Sequence, residues 1–337
     1  MSELLRLNQF SVSFRTYAGE VQAVRGVDFA MREGERVAIV GESGSGKSVM
    51  TQSIVKLLPP PAYIKGGSAV YRGTDLTALS FRQLKQFKGK EIAYVFQDPM
   101  TSLNPTLKVG RQIIEGIRAH VSVTTAQARE RAVSLLREVG IPNPEKRFGQ
   151  YPYQLSGGMR QRVMIAQAIA MQPKLLVADE PTTALDVTIQ SQILGTLKRL
   201  NEDQGMALLL ITHNMGIVAG MAQRVAVMYG GCIVETGGIL DVFEKTLHPY
   251  TRCLLDAVPR LDEDGVTPLT YIVGTPPDML NPPAGCPFAP RCEQSMRVCF
   301  SEMPRTTVRE KGHAAACWLL DRPQRAPAET IRGRRTG

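Results

Sequence analysis

Arg36-Val37-Ala38-Ile39-Val40-Gly41-Glu42-Ser43-Gly44-Ser45-Gly46-Lys47-Ser48 is the stretch from which the fold can be read. Its first five residues, the last four of them apolar, read as a buried strand. The next eight fit G-x-x-x-x-G-K-[ST], and Ser48 to Leu58 reads as the helix that this pattern opens. A strand, a glycine loop and a helix in that order form a phosphate cradle. Glycines let successive backbone N–H groups turn toward phosphate oxygens, and the helix N-terminus adds free donors and positive dipole. Lys47 can reach β- and γ-phosphates, and the Ser48 hydroxyl can ligate Mg²⁺. The candidate nucleotide-binding residues are therefore Gly41, Ser43, Gly44, Ser45, Gly46, Lys47, Ser48 and Val49. The competing reading is a glycine-rich turn that binds nothing; the flanking strand and helix weigh against it.

Three more short apolar runs, Ile92–Phe96, Leu175–Ala178 and Leu208–Ile211, read as buried strands separated by helical stretches. This alternation predicts an α/β fold with a largely parallel sheet covered on both faces. Between Leu107 and Ala170 strand signals vanish. Ala132, Leu135, Leu136 and Val139 there recur at helical spacing, which predicts a helical insertion. No internal repeat or long heptad run is present.

Polar residues at strand ends complete a candidate site. Leu175–Ala178 runs into Asp179-Glu180, at the carboxyl edge where ligands of parallel sheets bind. Asp179 can hold the Mg²⁺ shell, and Glu180 can polarise a water for in-line attack. Gln97 follows Ile92–Phe96 and can ligate Mg²⁺ or the attacking water. His213 follows Leu208–Thr212 and can donate to a γ-phosphate. A second glycine-rich helix start, Leu155-Ser156-Gly157-Gly158-Met159, is either another anion site or an ordinary N-cap by Ser156. Two phosphate-type sites in one chain are explained if two chains pair head to tail, each supplying half of each site.

Length and composition bound the rest. At roughly 150 residues per domain, 337 residues suggest about two domains. A hydrophobic content of 43% excludes disorder of the whole chain. The longest apolar runs are strand-sized, well short of the roughly 20 residues that span a bilayer, and the N-terminus carries no signal-like segment; a cytoplasmic protein is expected. The net charge of +9 favours anionic partners without choosing among them. The tail after Leu320 holds five arginines against Asp321 and Glu329, and reads as a solvated basic tail over 321–337.

The ordered motifs resemble ABC-transporter nucleotide-binding subunits. The match rests on Gly41–Ser48, Gln97, Leu155–Met159, Leu175–Glu180, the Ala184-Leu185-Asp186 turn and His213, and covers about residues 4–245. The resemblance implies a P-loop ATPase cassette with an antiparallel β-subdomain and a helical subdomain over about 107–170. It implies ATP sandwiched between two cassettes, with Ser156, Gly157 and Gly158 closing on the partner's nucleotide. It also implies an aromatic ring on the adenine; Tyr17 is the first choice and Phe14 the rival. One departure is Asn214, where the family usually has Asp; ATP turnover is expected to survive it.

A closer resemblance is to oligopeptide/dipeptide import ATPases. It rests on Val95–Pro105, on His248-Pro249-Tyr250-Thr251 and on Gly285–Cys292. It implies a cassette over 1–245, a C-terminal extension over 246–320, and a paralogous ATPase subunit as partner. It further implies two transmembrane permease subunits, an external solute-binding protein, a place on the cytoplasmic face of the membrane, and peptides as cargo. Related systems carry glutathione, nickel complexes or other small solutes.

The extension has its own chemical signal. Val258 to Pro290 holds eight prolines, a poor start for a self-sufficient core. Four cysteines follow the pattern Cys286-x5-Cys292-x6-Cys299-x17-Cys317. That spacing is unusual for zinc, and four thiolates also suit a four-iron four-sulfur cluster. The resemblance implies the cluster; zinc, and free or disulfide thiols, are the alternatives. His313 lies nearby but is not needed for the count, and Cys232 and Cys253 read as buried apolar residues.

Other functions are separable. A nucleic-acid ATPase of this fold would carry a long coiled coil or added modules between its halves, yet only about 108 residues lie between Gly46 and Leu155. A translation-associated ATPase would have two cassettes, and one set of motifs is present. No nucleic-acid partner is expected. Glu180 and His213 together argue against a non-hydrolysing binding module.

Overall fold

The computed structural model describes residues 2–183, 185–258 and 272–321. Ala184, part of the proline-rich stretch (259–271) and the basic tail (322–337) lie outside the described residues.

Two long strands, β1 (Glu3–Thr16) and β2 (Gly19–Arg32), lead into β3 (Arg36–Val40) and helix α1 (Lys47–Ile54). β4 (Ala62–Tyr71), β5 (Thr74–Asp75) and α2 (Phe81–Leu84) precede β6 (Ile92–Val95). The insertion follows as α3 (Pro99–Ser102), α4 (Val109–Arg118), α5 (Thr125–Glu138), α6 (Pro144–Phe148) and α7 (Gly157–Ile169). Then come β7 (Leu175–Asp179), α8 (Val187–Gln204), β8 (Ala207–Thr212) and α9 (Met215–Met221). β9 (Arg224–Tyr229), β10 (Cys232–Gly238), α10 (Ile239–Glu244) and α11 (Pro249–Asp256) close this part. The extension adds α12 (Arg297–Ser301), β11 (Thr306–Val308) and β12 (Ala314–Ala316).

The main sheet has the order β11-β12-β10-β9-β3-β8-β7-β6. Its β9-β3-β8-β7-β6 part is parallel, as the short apolar runs predict. Alternate residues of these strands point to opposite faces. Val37, Ile39, Leu209 and Ile211 meet the second, antiparallel sheet (order β2-β1-β4-β5) and Met50 of α1. Ala38, Val40, Leu208 and Leu210 meet the helices, including Ile193 and Leu197 of α8. The insertion is helical as its periodicity predicts; α5 buries Ala128, Ala132, Leu135 and Leu136.

The helix after the cradle is shorter than the Ser48–Leu58 reading: α1 ends at Ile54. Lys56 is left-handed (φ 51°) and Pro59 follows, so the chain must turn away. The extension has little core of its own. Phe288 and Ala289 join the helix-side core of the main sheet, and β12 pairs with β10. The fully buried Glu235 of β10 accepts from the backbone N–H groups of Leu247 and His248 (both 2.9 Å) and meets His313 Nε2 at 2.7 Å. Breaking a buried pair strands the remaining partner without compensation. We therefore expect Glu235→Ala to cost about 3–5 kcal/mol, read as a lower denaturant midpoint for the whole chain at unchanged slope.

Candidate functional site

The register of the parallel strands brings the motif residues to one edge. Val40 stands opposite Thr212, Asp179 opposite Ile211, and Val95 opposite Ala178. Gly41, Glu180 and His213, which follow directly, and Gln97, one residue further on, therefore leave the sheet at its carboxyl edge.

Within the cradle, Lys47 is buried, and its Nζ donates to the carbonyls of Gly41 and Glu42, both at 2.8 Å. Burial pushes its pKa down, against the pull of Glu180, Asp179 and Glu42. Gly46 has φ 101°, and a Cβ there would lie 2.3 Å from the Ala23 carbonyl, so no larger residue fits. Ser43 and Gly44 are exposed, Ser45 is buried, and Ser48 and Val49 are half-buried.

Ser48 Oγ donates to Asp179 Oδ1 at 2.9 Å, and Tyr94 OH donates to Asp179 Oδ2 at 2.6 Å. Burial raises the Asp179 pKa, opposed by these two hydrogen bonds. Glu180 is the hub of a second cluster. Its Oε1 lies 2.9 Å from His213 Nδ1; its Oε2 accepts from Gln97 Nε2 at 3.0 Å and from Thr183 Oγ1 at 2.8 Å. Burial alone would raise the Glu180 pKa, but the bonds from His213 and Thr183 outweigh it and hold the carboxyl below its usual value. Its backbone is left-handed (φ 44°), a strained state for a residue with a Cβ. Gln97 thus reaches Glu180 and makes no hydrogen bond to the Ser48–Asp179 pair among the described residues.

Ser156 caps α7, accepting from Met159 N at 3.4 Å, while Ser156 and Gly157 remain exposed. Gly158 is packed against α8: a Cβ there would lie 2.5 Å from Ile189 Cγ2. Among the described residues no hydrogen bond joins 156–158 to the cradle. Tyr17 stands fully exposed on the β1–β2 turn, and Phe14 is half-buried within β1. Asn214 caps α9 by accepting from Gly216 N at 2.8 Å and Ile217 N at 3.4 Å, a task that Asn performs as well as Asp.

The four late cysteines form no disulfide, and all of them line one cavity of ≈ 20 Å³ together with His248, Phe288 and Trp318. The expectation of a formed metal site is not met: among the described residues no three His, Cys, Asp or Glu side chains are grouped to hold an ion. Burial pushes the Cys286 thiol up to about 12 and raises Cys292 and Cys317. His248 Nε2 lies 4.0 Å from Cys286 Sγ, whereas His313 turns away to Glu235. Cys232 is buried and Cys253 half-buried, neither in this cavity.

Sequence reasoning missed Tyr94, Thr183, Tyr250 and Arg291. Tyr94 sits mid-strand and reads as one more apolar position. Thr183 lies three residues past Glu180, a spacing that could have been noticed. Arg291 and Tyr250 reach the cradle only through tertiary packing: Arg291 Nη1 donates to Glu42 Oε2 at 2.7 Å, and Tyr250 OH accepts from Glu42 N at 2.8 Å.

The buried Asp179 charge gives a pH-dependent expectation. A raised folded pKa means that the ionised form weakens the nucleotide-free fold above the ordinary value of 3.8, and the penalty is absent below it. Asp179→Asn should raise the thermal midpoint at neutral pH, with the gain fading as pH falls toward 3.8, while Mg²⁺-dependent nucleotide turnover is lost.

Comparison with known proteins agrees with this geometry. Residues 24–183 match the ABC transporter family, and residues 234–299 match the C-terminal region of oligopeptide/dipeptide transporters. The chain is 51% identical over 337 residues to the oligopeptide transport ATP-binding protein OppD of Bacillus subtilis, covering 99% of this chain and 94% of that protein. It is 50% identical to the dipeptide transport ATP-binding protein DppD of the same organism, covering 99% of each. It is 46% identical to OppD of Salmonella typhimurium, covering 94% of this chain and 93% of that protein. Among solved structures it resembles the dimeric, post-hydrolysis ATP-binding cassette MJ0796 bound to ADP and Pi, with a TM-score of 0.64 and 27% identity over 70% of this chain and 99% of that one. On these matches, this chain belongs to the ABC-transporter ATP-binding subunits of the oligopeptide/dipeptide transporter family.

Proposed function

We propose that this chain is the ATP-hydrolysing subunit that drives peptide import across the cytoplasmic membrane. One observation carries the catalytic reading: a strained, half-buried Glu180 carboxylate is held by Gln97 and His213, each from a different strand end, beside the cradle.

Gly41, Ser43, Gly44, Ser45, Gly46, Lys47, Ser48 and Val49 bind the ATP phosphates. Lys47 exchanges the Gly41 and Glu42 carbonyls for phosphate oxygens. Ser48, Asp179 and Gln97 would hold Mg²⁺, which would supply positive charge to the phosphates. Glu180 accepts the proton of the attacking water, kept ionised by His213 and Thr183. His213 exchanges Glu180 for the γ-phosphate as the acceptor of its ring N–H. Tyr17 stacks on adenine. Ser156, Gly157 and Gly158 lie exposed or at a helix start, away from the chain's own cradle, and serve the nucleotide of a paralogous cassette paired head to tail. What supports the pairing is that a structurally similar cassette is dimeric.

The cassette spans 1–245, with its helical subdomain over about 107–170 turned to two transmembrane permease subunits; the extension spans 246–320. No helix among the described residues is long and apolar enough to cross a membrane. Membrane attachment at the cytoplasmic face therefore runs through the permeases, and a solute-binding protein delivers the peptide. The peptide reading draws on relatives named as oligopeptide and dipeptide transport proteins.

Cys286, Cys292, Cys299 and Cys317 hold a four-iron four-sulfur cluster. Four thiols lining one cavity suit the donor set. The cluster would be mainly structural, stapling a segment with little core of its own.

Two measurements test these readings. Glu180→Gln should bind ATP while losing roughly 10²–10⁴-fold in turnover; normal hydrolysis would remove Glu180 from its role. Protein purified without oxygen should carry about four iron and four acid-labile sulfide per chain; zinc in their place, or no metal, would refute the cluster.

A further inference from the structure

We propose that Arg291 is a positioning residue for the phosphate cradle, and that through it the thiol-bearing loop 286–292 is energetically linked to nucleotide binding. The proposal rests on the reading of 41–48 as an ATP cradle. Arg291 immediately precedes Cys292, and its side chain is 5% exposed. All five of its N–H donors are used. Nη1 donates to Glu42 Oε2 at 2.7 Å and to Tyr229 OH at 2.9 Å. Nη2 donates to Glu42 Oε1 at 3.0 Å and to the Ile272 carbonyl at 2.9 Å, and Nε donates to the Val273 carbonyl at 2.9 Å. The bidentate fork fixes the Glu42 carboxylate in direction as well as position.

Glu42 is the second residue of the cradle and is held at three points. Its carboxylate grips Arg291, its N–H donates to Tyr250 OH at 2.8 Å, and its carbonyl accepts Lys47 Nζ at 2.8 Å. A carboxylate on a phosphate-binding loop repels the ligand unless its charge is balanced, and in a half-buried site that repulsion is strong. Arg291 supplies the balance and fixes where the carboxylate lies.

The same loop reaches the thiols. Phe288 lines the cavity that holds all four cysteines, and its ring packs on Tyr229 and Tyr250 at 5.3 and 5.2 Å between centroids. The Arg291 guanidinium lies 5.7 Å from the Tyr229 ring and 5.9 Å from the Phe288 ring. Whatever orders or loosens 286–292 therefore changes the hold on Glu42, and by reciprocity nucleotide in the cradle orders 286–292 to the same extent.

The test uses the full chain. ATP affinity is measured with Mg²⁺, and hydrogen–deuterium exchange is followed in the peptide that spans 286–292. In the wild type, saturating ATP should slow exchange there several-fold. Arg291→Met should bind ATP about tenfold more weakly and lose the ATP effect on exchange. Adding Glu42→Gln to Arg291→Met should restore affinity, because no charge then needs balancing; a merely structural arginine would not be rescued in this way. If Arg291→Met does not fold, Arg291→Lys takes its place: it keeps the charge without the fork, and should retain affinity better than it retains the exchange effect. ATP binding and protection in either variant equal to the wild type would overturn the proposal while leaving the ATP reading intact. A wild-type chain that binds no ATP would overturn the ATP reading, and the proposal with it.

Discussion

Parallel hydrogen bonding of β3 to β8 on one side and β9 on the other sets the height of every group at the site. Because β7 and β6 continue the same register, four strands end together, and at or within two residues of their ends stand a glycine loop, two acids, a histidine and a glutamine. In a parallel sheet the carboxyl edge collects such residues without any of them being close in sequence. A slip of one residue in β7 would exchange the faces of Leu176 and Val177 between two cores and would bury Glu180. The packing of both faces therefore protects the chemistry at the edge.

That edge concentrates charge in a half-dry place, and local pairing decides what each group can do. Asp179 and Glu180 are adjacent in sequence but differ in environment. Asp179 is buried, and the hydroxyls of Tyr94 and Ser48 and the charge of Lys47 do not offset its desolvation, so its pKa rises. Glu180 opens toward His213 and Thr183, and its pKa falls. Two neighbouring carboxyls thus have pKa values moved in opposite directions by their surroundings. Lys47, buried beside them, is satisfied by the carbonyls of Gly41 and Glu42.

The extension shows how a segment poor in apolar residues borrows stability. β12 adds to the edge of the sheet through β10, Phe288 inserts into the helix-side core, and the buried Glu235 ties the start of α11 to His313. Its polar anchors are few and saturated, which gives position at little cost in buried unpaired charge. The thiol cavity lies behind this wall, one aromatic layer from the cradle.

Much of this was legible in the sequence, because the strand–loop–helix around Lys47, the acids after Leu175–Ala178 and the helical spacing near Leu135 are local signals. Local chemistry writes them: glycines where backbone must approach phosphate, apolar runs where a strand is buried on both faces, a 3.6-residue period where one face of a helix is covered. The sequence alone could also count four late thiols. It could not show that Gln97 and His213 meet on Glu180, that Tyr94 supports Asp179, or that the thiols share a cavity without converging. Nor could it reveal that Arg291, 249 residues from Glu42, closes a fork on the phosphate loop. Those contacts exist only once sheet register and core packing have brought distant segments together, since no periodicity along a chain encodes which far residue an arginine will face.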